Sequence, residues 1–274
     1  MQVPFVQIDA FAAAPFEGNP AAVLLLPGWP ADSLLADIAG ENNLSETAYV
    51  VPGLPPEARP PDDEPAYHLR WFTPAIEVEL CGHATLAAAA YLLDDVHPEA
   101  DRVRFWTRSG WLAVDREPTG GYTMDFPSQP SIPTEVDPSI AAALGVPVVE
   151  ALRGADLVYL VRDAHTVAGL TPDLDVVGRL PVRGVAVTAA GDGTGYDFVS
   201  RWFGAYAGVA EDPVTGSAHA QLAPLWAQRL GRPRLRARQL SPRGGSVECR
   251  VAGDRTFLTG QCRRFLTGTA MLPD

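Results

Sequence analysis

The sequence contains no lysine, because all 21 basic residues are arginine. This absence excludes a lysine Schiff base, a pyridoxal-phosphate anchor and the lysine of a P-loop. Positive charge is also scarce relative to negative charge: 33 acidic residues leave a formal net charge of −12. Nucleic acids and anionic membrane surfaces are bound through positive patches, so neither is an expected partner.

Cysteine is scarce as well. Cys81, Cys249 and Cys262 form no CxxC pair, and their odd number and wide spacing argue against a disulfide framework. No apolar run approaches the length of a membrane span, and the first residues lack the basic and apolar regions of a signal peptide. These features predict a reduced, cytoplasmic protein.

The 274 residues are enough for one large domain or two of ordinary size, and 47% hydrophobic residues indicate a packed globular chain. Two stretches resemble each other at an offset close to half the chain. Arg70-Trp71-Phe72 precedes a turn at 79–84, and Arg201-Trp202-Phe203 precedes a turn at 211–218. Long-period similarity of this kind indicates one supersecondary unit used twice.

An apolar helical run follows each turn. Residues 84–93 have no polar face, which predicts a helix buried on all sides. Residues 218–230 are mostly apolar, although Pro224 should kink that helix or break its hydrogen-bond ladder. Short strands with Gly turns make up most of the rest, including strands at 103–107 and 111–116, and a short helix is expected near 139–144. The Pro- and Ser-rich stretch 127–138 is the expected inter-domain linker. The fold class is therefore α+β, with domains at 1–126 and 127–274. The last strand, at about 263–274, is expected to return to the N-terminal domain.

The two turns are the best candidates for chemistry, because each lies at the N-terminus of a helix. Free N–H groups there bind carboxylates and stabilise oxyanions, and Gly82 and Gly216 allow a ligand to approach the backbone closely. The alternative is that both turns are ordinary helix caps. The side chains that make these turns candidates are those of Cys81, His83, Asp212, Thr215 and Ser217. If the halves face each other, both turns would share one cleft.

Glu46 is a further candidate, at the start of a predicted strand. A glutamate in that position is usually a solvated surface group. If the side chain instead lies in an apolar cleft, burial favours its neutral form and makes it a competent acid or base near neutral pH. The residues alone leave both interpretations open.

Cys81 and His83 together permit two other interpretations. They could begin a metal site, but no second pair at ligand spacing accompanies them, so we expect no metal. Cys81 could also be a nucleophile or base at a helix N-terminus, where a thiolate is stabilised, or a buried and inert cysteine.

Four motifs, in order along the chain, carry a family resemblance. They are Asp9-Ala10-Phe11 with Gly18-Asn19-Pro20-Ala21, then Asn43-Leu44-Ser45-Glu46-Thr47, then Cys81-Gly82-His83-Ala84-Thr85, then residues 211–218. Together they closely resemble the PhzF-like (phenazine biosynthesis-like) proteins, which are relatives of diaminopimelate epimerase. The resemblance implies two pseudo-symmetric domains, each a curved sheet or barrel around a central helix. It also implies a homodimer, an active site between the domains, and catalysis without metal or cofactor.

The resemblance further implies the site. Glu46 matches the proton-shuttling glutamate of the phenazine enzyme, and His83, Asp212 and Ser217 match its supporting residues. Substrate binding is expected at Asn19, Cys81, Gly82, Thr215 and Gly216. Diaminopimelate epimerase uses two opposed thiols, whereas Asp212 and Pro213 occupy the second turn here, which disfavours a two-thiol racemase.

The sequence therefore predicts a cofactor-independent isomerase that moves a proton on a small carboxylate-bearing substrate, with Glu46 as general base and acid. Two alternatives remain: an epimerase or racemase that uses Cys81 with a second acid, and a catalytically silent binding protein on the same fold.

Overall fold

A computed structural model of the protein describes residues 1–60, 63–204 and 210–273. The chain divides into two compact units. Unit 1 comprises Met1–Asp125 and Thr259–Asp274, and unit 2 comprises Phe126–Leu258. The chain therefore leaves unit 1 within one strand and returns to it within another, without a separate linker segment.

Strands dominate both units. In chain order they are β1 Gln2–Ala10, β2 Asn19–Leu25, β3 Glu46–Val51, β4 Ala66–Phe72, β5 Glu77–Val78, β6 Arg102–Thr107, β7 Gly110–Arg116, β8 Tyr122–Pro127, β9 Ile132–Thr134, β10 Glu150–Arg153, β11 Leu157–Leu160, β12 Gly184–Ala190, β13 Phe198–Gly204, β14 Arg234–Gln239, β15 Gly245–Ala252, β16 Arg255–Gly260 and β17 Cys262–Met271. The helices are α1 Asp32–Asn42, α2 Gly82–Tyr91, α3 Pro138–Leu144, α4 Ala164–Ala168, α5 Leu174–Val177 and α6 Gly216–Leu230, and a π-helical turn, Leu92–Val96, extends α2. The predicted α+β class is confirmed.

In unit 1, strand pairings alternate between antiparallel and parallel. β1 pairs antiparallel with β2, β2 parallel with β3, β3 antiparallel with β4, β4 parallel with β6, and β6 antiparallel with β7. The last strand, β17, pairs antiparallel with β1 along its whole length, from Gln2↔Met271 to Ala10↔Cys262. Helix α1 ends where Asn43 adopts the left-handed conformation, with φ 46°, which asparagine tolerates better than most residues.

Unit 2 repeats this order of pairings. β10 pairs antiparallel with β11, β11 parallel with β12, β12 antiparallel with β13, β13 parallel with β14, and β14 antiparallel with β15. The segment that joins the two strands of the first parallel pair contains α1 in unit 1 and α4 and α5 in unit 2. The segment that joins the strands of the second parallel pair contains α2 in unit 1 and α6 in unit 2. One arrangement of strands and helices is therefore used in each unit.

Helix α2 is buried around its entire circumference, as its uniformly apolar sequence predicted. Every residue from His83 to Tyr91 is buried, and the helix packs on β1, β2, β3 and β17 of its own unit. Within the described part of the chain, no helix combines the length and apolarity needed to cross a lipid bilayer.

Helix α6 continues through Pro224, from Gly216 to Leu230. Proline has no N–H for the carbonyl four residues earlier, which is that of Ala220. The Ala220 oxygen instead accepts a hydrogen bond of 3.1 Å from the backbone N–H of Gln129. The ladder does lose one bond, as predicted, but the carbonyl is satisfied from outside the helix and the helix does not end there.

Candidate active site

Glu46 and His83 form the centre of the site in unit 1. Glu46 is the first residue of β3 and lies opposite Ala21 of the parallel neighbour β2, while His83 lies in the first turn of α2. The His83 Nε2 and Glu46 Oε2 atoms are 3.2 Å apart, and the two side chains are only 4% and 15% exposed. Glu46 is therefore a largely buried carboxyl group, not the solvated surface residue of the alternative interpretation.

The other ring nitrogen of His83 faces Asn19 and Cys81. The Asn19 Nδ2 atom lies 3.0 Å from Nδ1, and the Cys81 Sγ atom lies 3.5 Å from it. An amide nitrogen can only donate, so in the neutral form of the ring Nδ1 accepts from Asn19 and the ring hydrogen lies on Nε2. Asn19 is fully buried at the start of β2. Two adjacent parallel strands and one helix N-terminus thus bring together four of the predicted site residues.

The protonation of this cluster is set by burial and by Glu46. Burial raises the pKa of the Cys81 thiol to about 11, and the nearby Glu46 charge acts in the same direction. Cys81 is therefore a neutral thiol at physiological pH. Burial alone would lower the pKa of His83, but the interactions of its ring with Cys81 and Glu46 outweigh burial and hold that pKa well above the usual value. With Cys81 protonated, Glu46 is the charge that acts on His83.

Glu46, Cys81 and His83 also place three potential metal-ligand atoms within 4.8 Å of one another. A metal would require a thiolate and a free imidazole nitrogen. The thiol is protonated, and the raised pKa of His83 disfavours a free imidazole nitrogen. These donors fit a metal poorly, and the absence of a resident metal stays a prediction.

In unit 2, Asp212 and Thr215 form a tight hydrogen-bonded turn before α6. The Thr215 hydroxyl donates to Asp212 Oδ2 at 2.6 Å, and both residues are buried. Thr215 occupies the cap position of α6, yet no side-chain hydrogen bond caps that helix. The interpretation of Thr215 as an ordinary helix cap is therefore wrong: its hydroxyl is committed to Asp212.

Ser217 contacts a second polar cluster in unit 2. Its Oγ accepts a hydrogen bond of 2.7 Å from Arg183 Nη1. Arg183 also binds both carboxylate oxygens of Asp156, to which the indole nitrogen of Trp202 donates at 3.0 Å. Burial raises the pKa of Asp156, although Arg183 opposes that shift. Arg183 is held rigidly by these bonds, with its guanidinium 5.4 Å from the centre of the Trp202 ring.

Three polar residues of unit 2 were not found from the sequence: Asp156, Arg183 and Gln239. Asp156 and Arg183 lie outside the repeated stretches, and Gln239 lies at the end of a strand with no motif around it. The tryptophan of Arg201-Trp202-Phe203 was the available signal for Asp156, since a buried indole N–H usually has a hydrogen-bond acceptor.

The two Arg-Trp-Phe stretches have matching local geometry. Arg70 forms a bidentate pair with Glu77, with both bonds at 2.7 Å. Arg201 forms the same pair with Glu211, at 2.6 and 2.8 Å. Each arginine also lies over the phenylalanine two residues later, at 5.2 and 5.1 Å from the ring centre. Each pair ties a strand to the segment that leads to a candidate turn.

This combination of fold and residues is found in known proteins. A solved structure of a phenazine biosynthesis PhzF-family protein from Enterococcus faecalis matches with a TM-score of 0.91 and 42% identity, covering 99% of this chain and 100% of that one. The chain belongs to the phenazine biosynthesis-like protein family, whose model matches residues 8–272.

Curated relatives extend over the full length of the chain. Two proteins of Pseudomonas aeruginosa, each named an uncharacterized isomerase, are 48% and 46% identical over 272 and 275 residues. Each alignment covers 99% of this chain and 100% of the relative. The names of these relatives support isomerase activity as the class of reaction.

Proposed function

We propose that the protein is a cofactor-independent isomerase that moves a proton between carbons of a small carboxylate-bearing substrate. The observation that carries the proposal is the buried Glu46–His83 pair, with Nε2 and Oε2 3.2 Å apart at the N-terminus of α2. Glu46 is the carboxyl group of this cluster, and a positioned carboxyl group is one of the side chains that act as general base and acid.

In this mechanism Glu46 takes a proton from one substrate carbon and returns it to another, so that it ends the cycle in its starting state. His83 Nε2 is within reach to stabilise the carboxylate form of Glu46 before the first transfer and after the second. The N–H groups at Gly82 would hold the substrate carboxylate or the enolate-like charge that develops, since no side chain caps α2.

We assign Asp212 and Ser217 to the same reaction as residues that orient the substrate, with Asn19, Thr215 and Gly216 in binding roles. Arg183 supports this assignment for Ser217, because its bond to Oγ fixes the hydroxyl beside the N-terminus of α6. The arginine itself is anchored by the buried Asp156.

The experiment is a proton-exchange screen. Small amino and hydroxy acids and cyclic dienes are incubated with the protein in D2O, and deuterium incorporation is followed by NMR. Glu46→Gln should reduce exchange by roughly 10²- to 10⁴-fold, the usual contribution of a general acid or base, while leaving substrate binding nearly unchanged. Full exchange in that variant would remove Glu46 from the mechanism.

Cys81→Ala is the matched variant for the epimerase alternative. Cys81 contacts the same histidine, but burial keeps its thiol protonated. We expect this variant to lose less than about tenfold in exchange rate, whereas catalysis by a thiol base would require Cys81 and lose the full contribution. A silent binding protein would show no exchange in any of the three forms.

A further inference from the structure

Gln239 is a fully buried glutamine whose side chain bonds to the turn that carries Asp212. It is the last residue of β14 and has no exposed surface. Its amide makes three hydrogen bonds, to the Thr215 N–H, the Asp212 backbone oxygen and the Thr215 hydroxyl. One amide thus contacts both ends of the turn.

The backbone determines which way this amide points. The Thr215 N–H can only donate, and it lies 2.9 Å from Gln239 Oε1. The Asp212 carbonyl can only accept, and it lies 2.6 Å from Nε2. Reversing the amide would place donor against donor and acceptor against acceptor, each in a buried position, where an unmade hydrogen bond is costly.

The fixed amide in turn sets the direction of the Thr215 hydroxyl. The second Nε2 hydrogen faces Thr215 Oγ1 at 3.3 Å, so the hydroxyl accepts on that side. Its single hydrogen is then donated to Asp212 Oδ2 at 2.6 Å. Hydrogen bonds in this series are therefore donated in one direction, from the Gln239 amide to the Thr215 hydroxyl and from that hydroxyl to the Asp212 carboxylate.

We propose that Gln239 is a positioning residue that makes Asp212 a hydrogen-bond acceptor and thereby keeps it in the anionic form. A hydroxyl that donates to a carboxylate favours the charged form, and such bonds are shorter and stronger than neutral ones. In the reaction proposed above, on which this assignment of a role rests, Asp212 then acts as the anion of the site and Glu46 carries the proton.

The other charged groups on the elements around this turn are already engaged. Arg201 of β13 and Glu211 form their own bidentate pair. His219 of α6 donates to the Thr215 backbone oxygen and stays neutral near pH 7, because burial lowers its pKa to about 4. Arg238 of β14 donates to Ser246. The Gln239–Thr215 pair is therefore the polar contact that the test must change.

The test uses the full-length protein labelled with ¹³C at the aspartate carboxyl carbons, and Asp212→Asn identifies the Asp212 signal. Gln239→Met retains the side-chain length and removes all three bonds. We expect the pH of proton uptake by Asp212 to rise by about one unit, a tenfold change in proton affinity. Thr215→Val, which removes only the hydroxyl, should shift it in the same direction.

Gln221 supplies a matched control. It is also buried, its Oε1 accepts from the Asp156 N–H, and its Nε2 donates to the Asp156 oxygen and to the Ser131 hydroxyl. Gln221→Met should lower the unfolding free energy about as much as Gln239→Met does, and it should leave the pH of proton uptake by Asp212 unchanged. An Asp212 shift no larger in Gln239→Met than in Gln221→Met would overturn the proposal.

If Gln239→Met does not fold, the wild-type protein and Thr215→Val still decide the matter. The Nε2 hydrogens of Gln239 should exchange slowly with solvent, and Thr215→Val should raise the pH at which Asp212 takes up a proton. Rapid exchange, or an unchanged Asp212 titration in Thr215→Val, contradicts the proposed series of hydrogen bonds from Gln239 to Asp212. The titration needs no substrate. Failure of the proposed function would instead appear as absent deuterium exchange in the wild-type protein, whatever the Asp212 titration shows.

Discussion

At the scale of single residues, the sequence indicated the candidate site residues better than it indicated the residues that support them. Glu46, His83 and Asp212 lie next to recognisable turns, and the structure buries all three side chains at least partly. Gln239 bonds to Thr215, which lies 24 residues away in the sequence, and Asp156 bonds to Gln221, which lies 65 residues away. Such contacts depend on which strands pair, and no local pattern encodes them.

His219 is predicted to make the protein sensitive to acid. Burial lowers its pKa from 6.5 to about 4, so the unfolded chain binds this proton at a higher pH than the folded one. The stability from keeping His219 neutral is fully present above about pH 6.5 and is lost as the pH falls toward 4, by up to ~1.4 kcal/mol per pH unit.

Urea unfolding at a series of pH values measures this effect. His219→Asn retains a donor for the Thr215 oxygen and removes the titrating ring, so it should flatten the pH dependence of the unfolding free energy between pH 6.5 and 4. The exposed His165→Asn is the control and should leave that slope as it is in the wild type. An unchanged slope in His219→Asn would assign the acid sensitivity to other groups.

At the scale of secondary structure, long periodic segments were predictable and short ones were not. The strands expected at 103–107 and 111–116 and the helix at 139–144 match β6, β7 and α3 closely. The elements that were missed, β5, β9, β10, α4 and α5, are two to five residues long. Elements of that length are defined by tertiary pairing, because so few residues cannot establish a hydrophobic period.

Gly184 tests the packing between β12 and β13. A Cβ at this position would lie 2.2 Å from Cζ2 of Trp202 and 2.9 Å from the Phe203 oxygen. Gly184→Ala should therefore force Trp202 away from Asp156 and lower the unfolding free energy by about 1–3 kcal/mol. Thermal and urea unfolding measure this change.

Gly40 is the control for this substitution. It lies in α1 with no atom within 4 Å of an added Cβ, so Gly40→Ala should raise the unfolding free energy by about 0.5–1 kcal/mol through helix propensity. If Gly184→Ala were as stable as Gly40→Ala, the indole of Trp202 could move aside without lowering the unfolding free energy, contrary to this prediction.

At the scale of the whole molecule, the repeat in the sequence predicted one supersecondary unit used twice, and the same series of pairings occurs in each unit. The exact division of the chain was harder to foresee. Proline and serine at 127–138 suggested a linker, whereas the chain passes between units inside β8 and β16. Strand continuity there depends on pairing partners distant in sequence.

A chain ending at Leu258 should lose the fold of unit 1 and retain that of unit 2. It lacks β17, which covers β1 over nine residue pairs, whereas every residue of unit 2 is present. Two-dimensional amide NMR should then show dispersed signals for unit 2 and collapsed ones for unit 1. Native signals from β1 in the shortened chain would show that β2 and α2 are enough to hold that strand.

The pairing of β1 with β17 has a consequence for synthesis on the ribosome. Ala10 emerges long before its partner Cys262. At a translation rate of 5–20 residues per second the delay is on the order of tens of seconds. During that interval the nascent β1 has one edge open to other chains. A chaperone that shields nascent β-edges should therefore raise the yield of native protein, and slowing translation should lower it when such a chaperone is absent.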